Sequence, residues 1–131
     1  KSDKDKFYYS QDIINKITRI QEVIEVDVVN LDTLVNEEIP EGLIHFIKID
    51  TEGKDLEIVK SLSDKNLERI KFIGIECPNN IPRFEGEASK QECIDYFESK
   101  NFEVFHCLNY EDDPTNRQPM SDVVFVNKGE L

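Results

Sequence analysis

The stretch LIHFIKIDTEG, residues 43–53, decides the fold. Its first seven residues are mostly apolar on both faces and are interrupted only by His45 and Lys48, which is typical of a strand covered on both sides in a parallel sheet. The next four residues place two acids and a glycine directly after that strand. In an open α/β sheet, ligands bind at the carboxyl ends of the strands, so these residues are the first candidates for a functional site.

The flanking sequence alternates strands and helices. A helix is predicted around Leu56, Val59 and Leu62, followed by a second buried strand at Ile70–Ile75. This alternation predicts an α/β fold with a parallel sheet. Two later strands, Phe102–Leu108 and Val123–Val126, are joined by the polar loop Asn109–Met120 and are therefore predicted to form an antiparallel pair at the sheet edge.

Helix signals flank this region on both sides. Residues 10–24 carry isoleucine at spacings of three and four after Ser10, so we predict an amphipathic helical lead-in over residues 1–24. A short strand is predicted at Glu25–Leu31, followed by helical turns capped by Asp32. Ser89-Lys90-Gln91-Glu92 is a capping-box sequence that opens another helix, which Asn101 ends in a left-handed conformation.

Composition limits the possible partners. The chain has 131 residues, with 16 Lys+Arg against 28 Asp+Glu and a net charge of −12. This acidity disfavours nucleic acid and anionic membrane surfaces as partners, since both need basic faces. No apolar run is long enough to span a bilayer, and the charged N-terminus has no signal-peptide pattern. Three cysteines without C-x-x-C spacing predict reduced thiols in a cytoplasmic protein, with Cys77 the one that could be exposed.

The acids after the first buried strand have two interpretations. Asp50, Glu52 and Asp55 lie within six positions, and Gly53 permits a sharp turn into the next helix. They can line a ligand crevice, or Asp50 and Asp55 can simply bond backbone amides in the turn and at the helix N-terminus. The residues alone favour the structural interpretation, because short motifs are weak signals.

Glu76 ends the second buried strand. If the two strands are parallel neighbours, Glu76 and Asp50 emerge at the same sheet edge and can act as a base, a cation partner or metal ligands. A metal is the weakest of these interpretations, because His45 and His106 have no ligand spacing and are predicted to be fillers. We therefore predict no metal site, and a metal-binding acidic domain is only a third alternative.

The ordered motifs VVNLDTL (28–34), FIKIDTEG (46–53) and DLEIVK (55–60) resemble the FkbM family of S-adenosylmethionine-dependent methyltransferases. That family reads roughly V-x-T-L-D-D-L, a spacer, then L-K-I-D-V-E-G-A-E-x-x-V-L-K-G, and IGIE (73–76) resembles its next strand. The resemblance covers about residues 23–126. Lys54-Asp55 stands for the family's Ala-Glu, and Ser61 stands for its final Gly.

The resemblance implies a class I, Rossmann-like methyltransferase fold with strand order 3-2-1-4-5-7-6. Residues 25–131 would then form its C-terminal half: parallel strands four and five with helices, and strands six and seven as the antiparallel pair. The family's glycine-rich loop and ribose-binding acid would lie upstream. We therefore expect a partial domain, inactive alone and weak in binding S-adenosylmethionine.

The implied function is O-methylation of a hydroxyl on a sugar, polyketide or other small molecule. By resemblance, Asp50, Glu52 and Glu76 are the catalytic candidates, and Asp50, Thr51, Gly53 and Asp55 are the cofactor-binding candidates. The alternative is a non-catalytic assembly module derived from a methyltransferase half-domain. With strand one absent, Leu43–Ile49 becomes an apolar edge, so we expect the isolated chain to form a homodimer unless the helix at 10–24 covers that edge.

Overall fold

A mixed four-stranded sheet with helices forms the protein, in a computed structural model that describes Asp12, Asn15, Lys16 and residues 23–79, 82–109 and 120–130. The strands are β1 (Ile44–Lys48), β2 (Ile70–Pro78), β3 (Phe102–Asn109) and β4 (Met120–Asn127). The helices are α1 (Leu31–Glu38), α2 (Asp55–Lys60), α3 (Asp64–Glu68) and α4 (Lys90–Ser99). The predicted α/β class is confirmed.

The sheet has the order β1-β2-β4-β3. β1 runs parallel to β2, with Lys48 opposite Gly74. β4 lies antiparallel to both β2 and β3, and the β3–β4 pairing carries a register shift between Val104 and His106. The parallel pair and the final antiparallel pair, both predicted from the connections, are therefore present. The last strand in the sequence enters the sheet between β2 and β3.

The core lies between the sheet and helices α2 and α4. Phe97 of α4 is fully buried, stacks on Phe125 of β4 at 3.9 Å between ring centroids, and makes a T-shaped contact with Phe102. Burying one such side chain stabilises the fold by roughly 1.5–3 kcal/mol. Helix α4 begins at the predicted capping box, in which Ser89 and Glu92 bond each other's backbone N–H. Asn101 has φ +64, so the predicted left-handed residue is also confirmed.

The predicted strand at Glu25–Leu31 is wrong. Residues 23–30 form no regular structure, and no described strand pairs with them; Val28 is 91% exposed. A valine-rich segment forms a strand only when it pairs with a neighbouring strand. High strand propensity was therefore not enough to predict the structure of this segment. Helix α1 starts at Leu31, capped by Asn30, whose Oδ1 accepts from the Thr33 N–H at 2.8 Å.

Three further predictions need correction or lie outside the described residues. The helix predicted around Leu56, Val59 and Leu62 is present as α2, but it ends at Lys60, and a second short helix that was not predicted, α3, follows it after Ser63, whose side chain accepts from the Asn66 N–H. Cys77 is fully buried, and the neighbouring Cys93 together with burial raises the pKa of its thiol. Most of the helix predicted at 10–24, and residues 110–119 of the predicted loop, lie outside the described residues. Within the described segments, no helix is both long and apolar enough to cross a membrane.

Candidate functional site

Three carboxylates meet where the parallel strands end. Asp50 follows β1 by two residues, and Glu76 lies two residues beyond Gly74, the partner of Lys48. One oxygen each from Asp50, Glu52 and Glu76 lies within 4.8 Å of the others. The parallel pairing therefore places the predicted acids of both strands at one edge, which we call the acidic edge. Their catalytic roles remain predictions.

The turn after β1 has an unusual backbone. Glu52 has φ +55, and Gly53 follows with φ +110. A left-handed conformation at a residue other than glycine costs of order 1–3 kcal/mol, and such residues cluster at functional sites. A Cβ added at Gly53 would lie 3.3 Å from Glu87 Oε1 and 3.4 Å from the Phe84 ring. Gly53 therefore serves both the turn and its close contact with the loop before α4.

Asp50 is exposed at the acidic edge and pairs with a lysine. Its side chain is 54% exposed and pairs with Lys48 at 3.7 Å. Lys48 also donates to Asp122 Oδ1 at 2.9 Å. Burial alone would lower the pKa of Lys48, but the hydrogen bond and charge of Asp122, with Asp50 and Asp55, raise it. Lys48 therefore stays cationic beside an acid that can still reach a ligand.

Asp55 lies inside the turn. It is 3% exposed, and its Oδ1 accepts from the Thr51 N–H at 3.1 Å. Its Oδ2 is buried and has no hydrogen-bond partner among the described residues, and burial raises the pKa of the carboxyl. The structural interpretation, in which Asp55 bonds backbone amides of the turn, thus describes its contacts. Its cofactor-binding role, like those of Thr51 and Gly53, stays a prediction.

Arg83 is the residue that the sequence interpretation missed. It belongs to the loop between β2 and α4, yet it is 3% exposed. Its guanidinium donates to Glu87 Oε1 at 2.9 and 2.7 Å, donates to Glu52 Oε2 at 2.8 Å, and pairs with Glu76 at 3.3 Å. The only sequence signal was an arginine four residues before a glutamate in a loop, which is too common to predict this burial.

The electrostatics of Glu76 combine opposing effects. Burial raises the pKa of Glu76, the positive charge of Arg83 lowers it, and the neighbouring charges of Asp50, Glu52 and Asp122 raise it again, leaving it above its usual value. Arg83 itself experiences the reverse, since burial would lower its pKa and its acidic partners raise it. The acidic edge therefore contains a cation supplied by the protein itself. We assign no metal ligands there.

The described residues enclose little volume at this edge. A cavity of about 10 Å³ lies among Asp55, Glu76, Glu87 and Cys93, which is room for a single water molecule. A second cavity of 220 Å³ borders Gly53 and Gly86. Both are smaller than the ~300–1,000 Å³ typical of ligand pockets. His45 and His106 are exposed and belong to neither cavity lining.

One comparison with known proteins identifies a family. The family model of the methyltransferase FkbM domain matches residues 3–127. No curated protein and no solved structure gives a significant match. The family match covers nearly the whole chain, including β1, β2 and the acidic edge between them. The chain therefore belongs to the FkbM methyltransferase domain family.

Proposed function

We propose that this chain is part of an S-adenosylmethionine-dependent O-methyltransferase whose reaction takes place at the acidic edge. The observation that carries the proposal is the convergence of Asp50, Glu52 and Glu76 at the carboxyl ends of two parallel strands, where α/β sheets bind ligands. The acceptor would be a hydroxyl on a sugar, polyketide or other small molecule.

The residues present suit the charge of the cofactor. S-adenosylmethionine supplies an electrophilic methyl group on a positively charged sulfonium and also carries an ammonium group. Asp50 and Glu52 are exposed carboxylates that would stabilise these cations, and Glu76 lies beside them. Thr51 and Gly53 would offer backbone groups in the same turn. These carboxylates therefore fit the positively charged part of the cofactor.

Asp50 is the residue we assign to proton transfer. Methyl transfer to a hydroxyl requires removal of the hydroxyl proton and alignment of the reacting atoms. Asp50 is accessible and next to the other acids, so its carboxylate would accept that proton. Glu52 and Glu76 would contribute further negative charge beside Asp50. Lys48, paired with both Asp50 and Asp122, would fix the direction of the Asp50 side chain.

We further propose that β1, β2, β3 and β4 correspond to strands four, five, six and seven of a class I methyltransferase sheet. The sheet order β1-β2-β4-β3 supports this assignment, because it reproduces 4-5-7-6. On this assignment, strand one would pair with the side of β1 that no described strand occupies, and the glycine-rich loop after it would complete the cofactor site. The small cavities at the acidic edge agree with a site to which other residues contribute.

The decisive experiment is methyl transfer by the protein encoded in the complete reading frame. Radiolabelled S-adenosylmethionine would be incubated with that protein and a panel of sugar and polyketide alcohols. We expect label in an ether product. Isothermal titration on residues 1–131 should in parallel show weak S-adenosylmethionine binding or none. Absence of transfer to every alcohol by a folded protein would contradict the proposal, and micromolar binding by residues 1–131 would contradict the strand assignment.

A non-catalytic assembly module is the second candidate. It is favoured by the edge of β1, which pairs with β2 on one side and with no described strand on the other. Leu43 and Phe46 there are 42% and 53% exposed. Apolar strand edges recruit further strands, so the chain would form a homodimer. Light scattering should then give about 30 kDa, twice the 15.3 kDa of one chain; a constant monomer mass over a wide concentration range would reject the dimer.

A further inference from the structure

Arg83 connects three segments of the chain through one charged group. Its partners are Glu52 in the turn after β1, Glu76 in β2 and Glu87 in its own loop. Burying an unpaired guanidinium would cost several kcal/mol, so these contacts are what allow Arg83 to lie inside the protein. The backbone N–H of Arg83 also donates to Glu87 Oε2, which fixes the loop conformation around it.

The contacts of Arg83 divide into two groups. Those with Glu87 are local, four residues apart, and tie the loop to itself. Those with Glu52 and Glu76 reach across to the acidic edge. A loop needs only the first group for its own order. The second group brings positive charge to two carboxylates that repel each other and Asp50.

The turn after β1 gives this second group a mechanical consequence. Glu52 adopts a left-handed backbone conformation, which is unfavourable for a glutamate. Its carboxylate accepts a hydrogen bond from Arg83 at 2.8 Å. Gly53, the next residue, approaches Glu87 so closely that a Cβ would crowd it. The turn and the loop therefore act as one packed unit, with Arg83 at its centre.

We propose that Arg83 is a positioning residue of the methyl-transfer site, which holds Glu52 and Glu76 beside Asp50 and supplies the positive charge that the acidic edge requires. The inference rests on the proposed function only in taking the acidic edge as the site of methyl transfer. The side chain of Arg83 is 4% exposed, so it acts through the two glutamates and not by contact with a ligand. Without its charge, Glu52 and Glu76 would depend on cations from solution, because the lysine of the acidic edge pairs with other acids.

The test compares Arg83→Met with Glu87→Gln in the 131-residue chain, without cofactor or acceptor. Thermal unfolding is followed in millimolar MgCl₂ and in NaCl of equal ionic strength. Arg83→Met removes the charge, so Mg²⁺ should raise its Tm by about 3–5 °C more than it raises that of the wild type. Glu87→Gln removes the local tether but leaves Arg83 facing Glu52 and Glu76, so its Tm should fall without gaining Mg²⁺ dependence. Equal Mg²⁺ dependence in wild type and Arg83→Met would overturn the proposal.

A measurement on the wild type covers the case in which Arg83→Met does not fold. The charged groups that face Glu76 are Arg83, Asp50, Glu52 and Asp122. The NMR signals of the Arg83 guanidinium should therefore shift as the carboxyl of Glu76 titrates, and Glu52→Gln should change that response. Guanidinium signals insensitive to both would overturn the proposal. Neither measurement uses methyl transfer, so a negative transfer assay would count against the function alone.

Discussion

The two ends of the sheet both carry polar networks, but among the described residues only the carboxyl-end network contains a buried side-chain oxygen without a hydrogen-bond partner. The amino-end network lies where β2 begins, and the carboxyl-end network lies where β1 and β2 end. The amino-end network consists of Asp32, Asn66, Arg69 and Asn127. The carboxyl-end network consists of Lys48, Asp50, Glu52, Asp55, Glu76, Arg83 and Glu87.

In the amino-end network, the buried side-chain amides of Asn66 and Asn127 form hydrogen bonds with the carboxylate and the backbone carbonyls around them. Asn127 donates to the backbone carbonyls of Leu67, Glu68 and Ile70 at 3.2–3.4 Å and accepts from the Gly129 N–H at 2.8 Å. The Asn66 amide donates to Asp32 at 2.7 Å, which itself accepts from Ser63. The charge of Asp32 is met by neutral donors and that of Arg69 by the neutral Asn66 oxygen, an arrangement that stabilises the junction of α1, α3 and β2.

The carboxyl-end network is different in three respects. It holds more carboxylates than cations, it contains a glutamate with a left-handed backbone, and it leaves Asp55 Oδ2 without a partner among the described residues. Each feature costs stability and none is needed to close the sheet. Local violations of this kind are expected at functional sites, which is why we place the chemistry at this end although a larger cavity of 460 Å³ lies at the other.

The largest expected difference between the two ends is in activity. Asp50→Asn, in the protein of the complete reading frame, should lower the rate of methyl transfer by about 10²–10⁴-fold, the range for loss of a general base. Its matched control is Asp64→Asn, which removes an exposed acid paired with Lys100 at 2.7 Å near the amino end. Neither exposed pair should contribute more than about 1 kcal/mol to stability. Equal activity in the two variants would remove Asp50 from the mechanism.

Substitutions should affect stability more at the amino end of the sheet than at exposed positions elsewhere. Asn127→Leu keeps the number and branching of the side-chain heavy atoms but removes the amide that bonds buried backbone groups, so the free energy of unfolding should fall by about 1–3 kcal/mol. Urea denaturation measures this loss. The control is Gln91→Ala, an exposed amide on α4, whose effect should stay within about 0.5 kcal/mol. A neutral result for Asn127→Leu would mean that the amino-end network does not contribute the stability we assign to it.

A pair of glycines separates backbone strain from packing at the carboxyl end. Gly53 and Gly86 both have positive φ, +110 and +82, so alanine at either position should cost about 1–3 kcal/mol. Only at Gly53 would the added Cβ meet a neighbour, Glu87 Oε1 at 3.3 Å, whereas it meets nothing within 4 Å at Gly86. Gly53→Ala should therefore unfold at the lower urea concentration. The opposite ranking would show that the turn and the Arg83 loop are not packed together.

The pH dependence of stability should have opposite signs at the two ends. Hydrogen bonds from Ser63 and Asn66 lower the pKa of Asp32 to about 2 from 3.8, so its stabilisation is present above 3.8 and is lost as the pH falls towards 2. Burial raises the pKa of Glu76 above 4.5, so its contribution is present below 4.5 and is lost as the pH rises through the raised value.

Variants at these two positions isolate each slope. Asp32→Asn should flatten the Tm profile between pH 3.8 and 2, and Glu76→Gln should flatten it above pH 4.5. Thermal melts across this range, monitored by circular dichroism, measure both. A Glu76→Gln profile that parallels the wild type would show that burial does not perturb this carboxyl.

The sequence predicted the features that depend on local signals or on connection rules. The capping box at Ser89, the left-handed Asn101 and the parallel pairing of β1 with β2 follow from short patterns and from the helical crossover. The proximity of Asp50 and Glu76 follows from that pairing, since parallel strands end at one edge. These predictions needed no knowledge of which distant residues pack together.

The errors arose where contacts between residues far apart in the sequence determine the structure. The valines of Glu25–Leu31 have high strand propensity, but no strand lies beside them among the described residues. Asp32 looks like a helix cap in sequence, yet its carboxylate accepts from the Ser63 backbone N–H at 2.7 Å, 31 residues away. Arg83 lies in an irregular loop without periodicity, so nothing local indicates that its charge is buried at the acidic edge.

The position of β4 in the sheet has a consequence for biosynthesis. β4 pairs with both β2 and β3, which do not touch each other in the ladder. A nascent chain that has emerged only as far as β3 therefore exposes β3 without a partner and one unpaired edge of β2 until residues 120–127 leave the ribosome. Partly made chains of this kind are aggregation-prone and suit chaperone capture. A translational pause that holds residues 120–127 inside the ribosome should accordingly lower the yield of folded protein more than a pause after they have emerged.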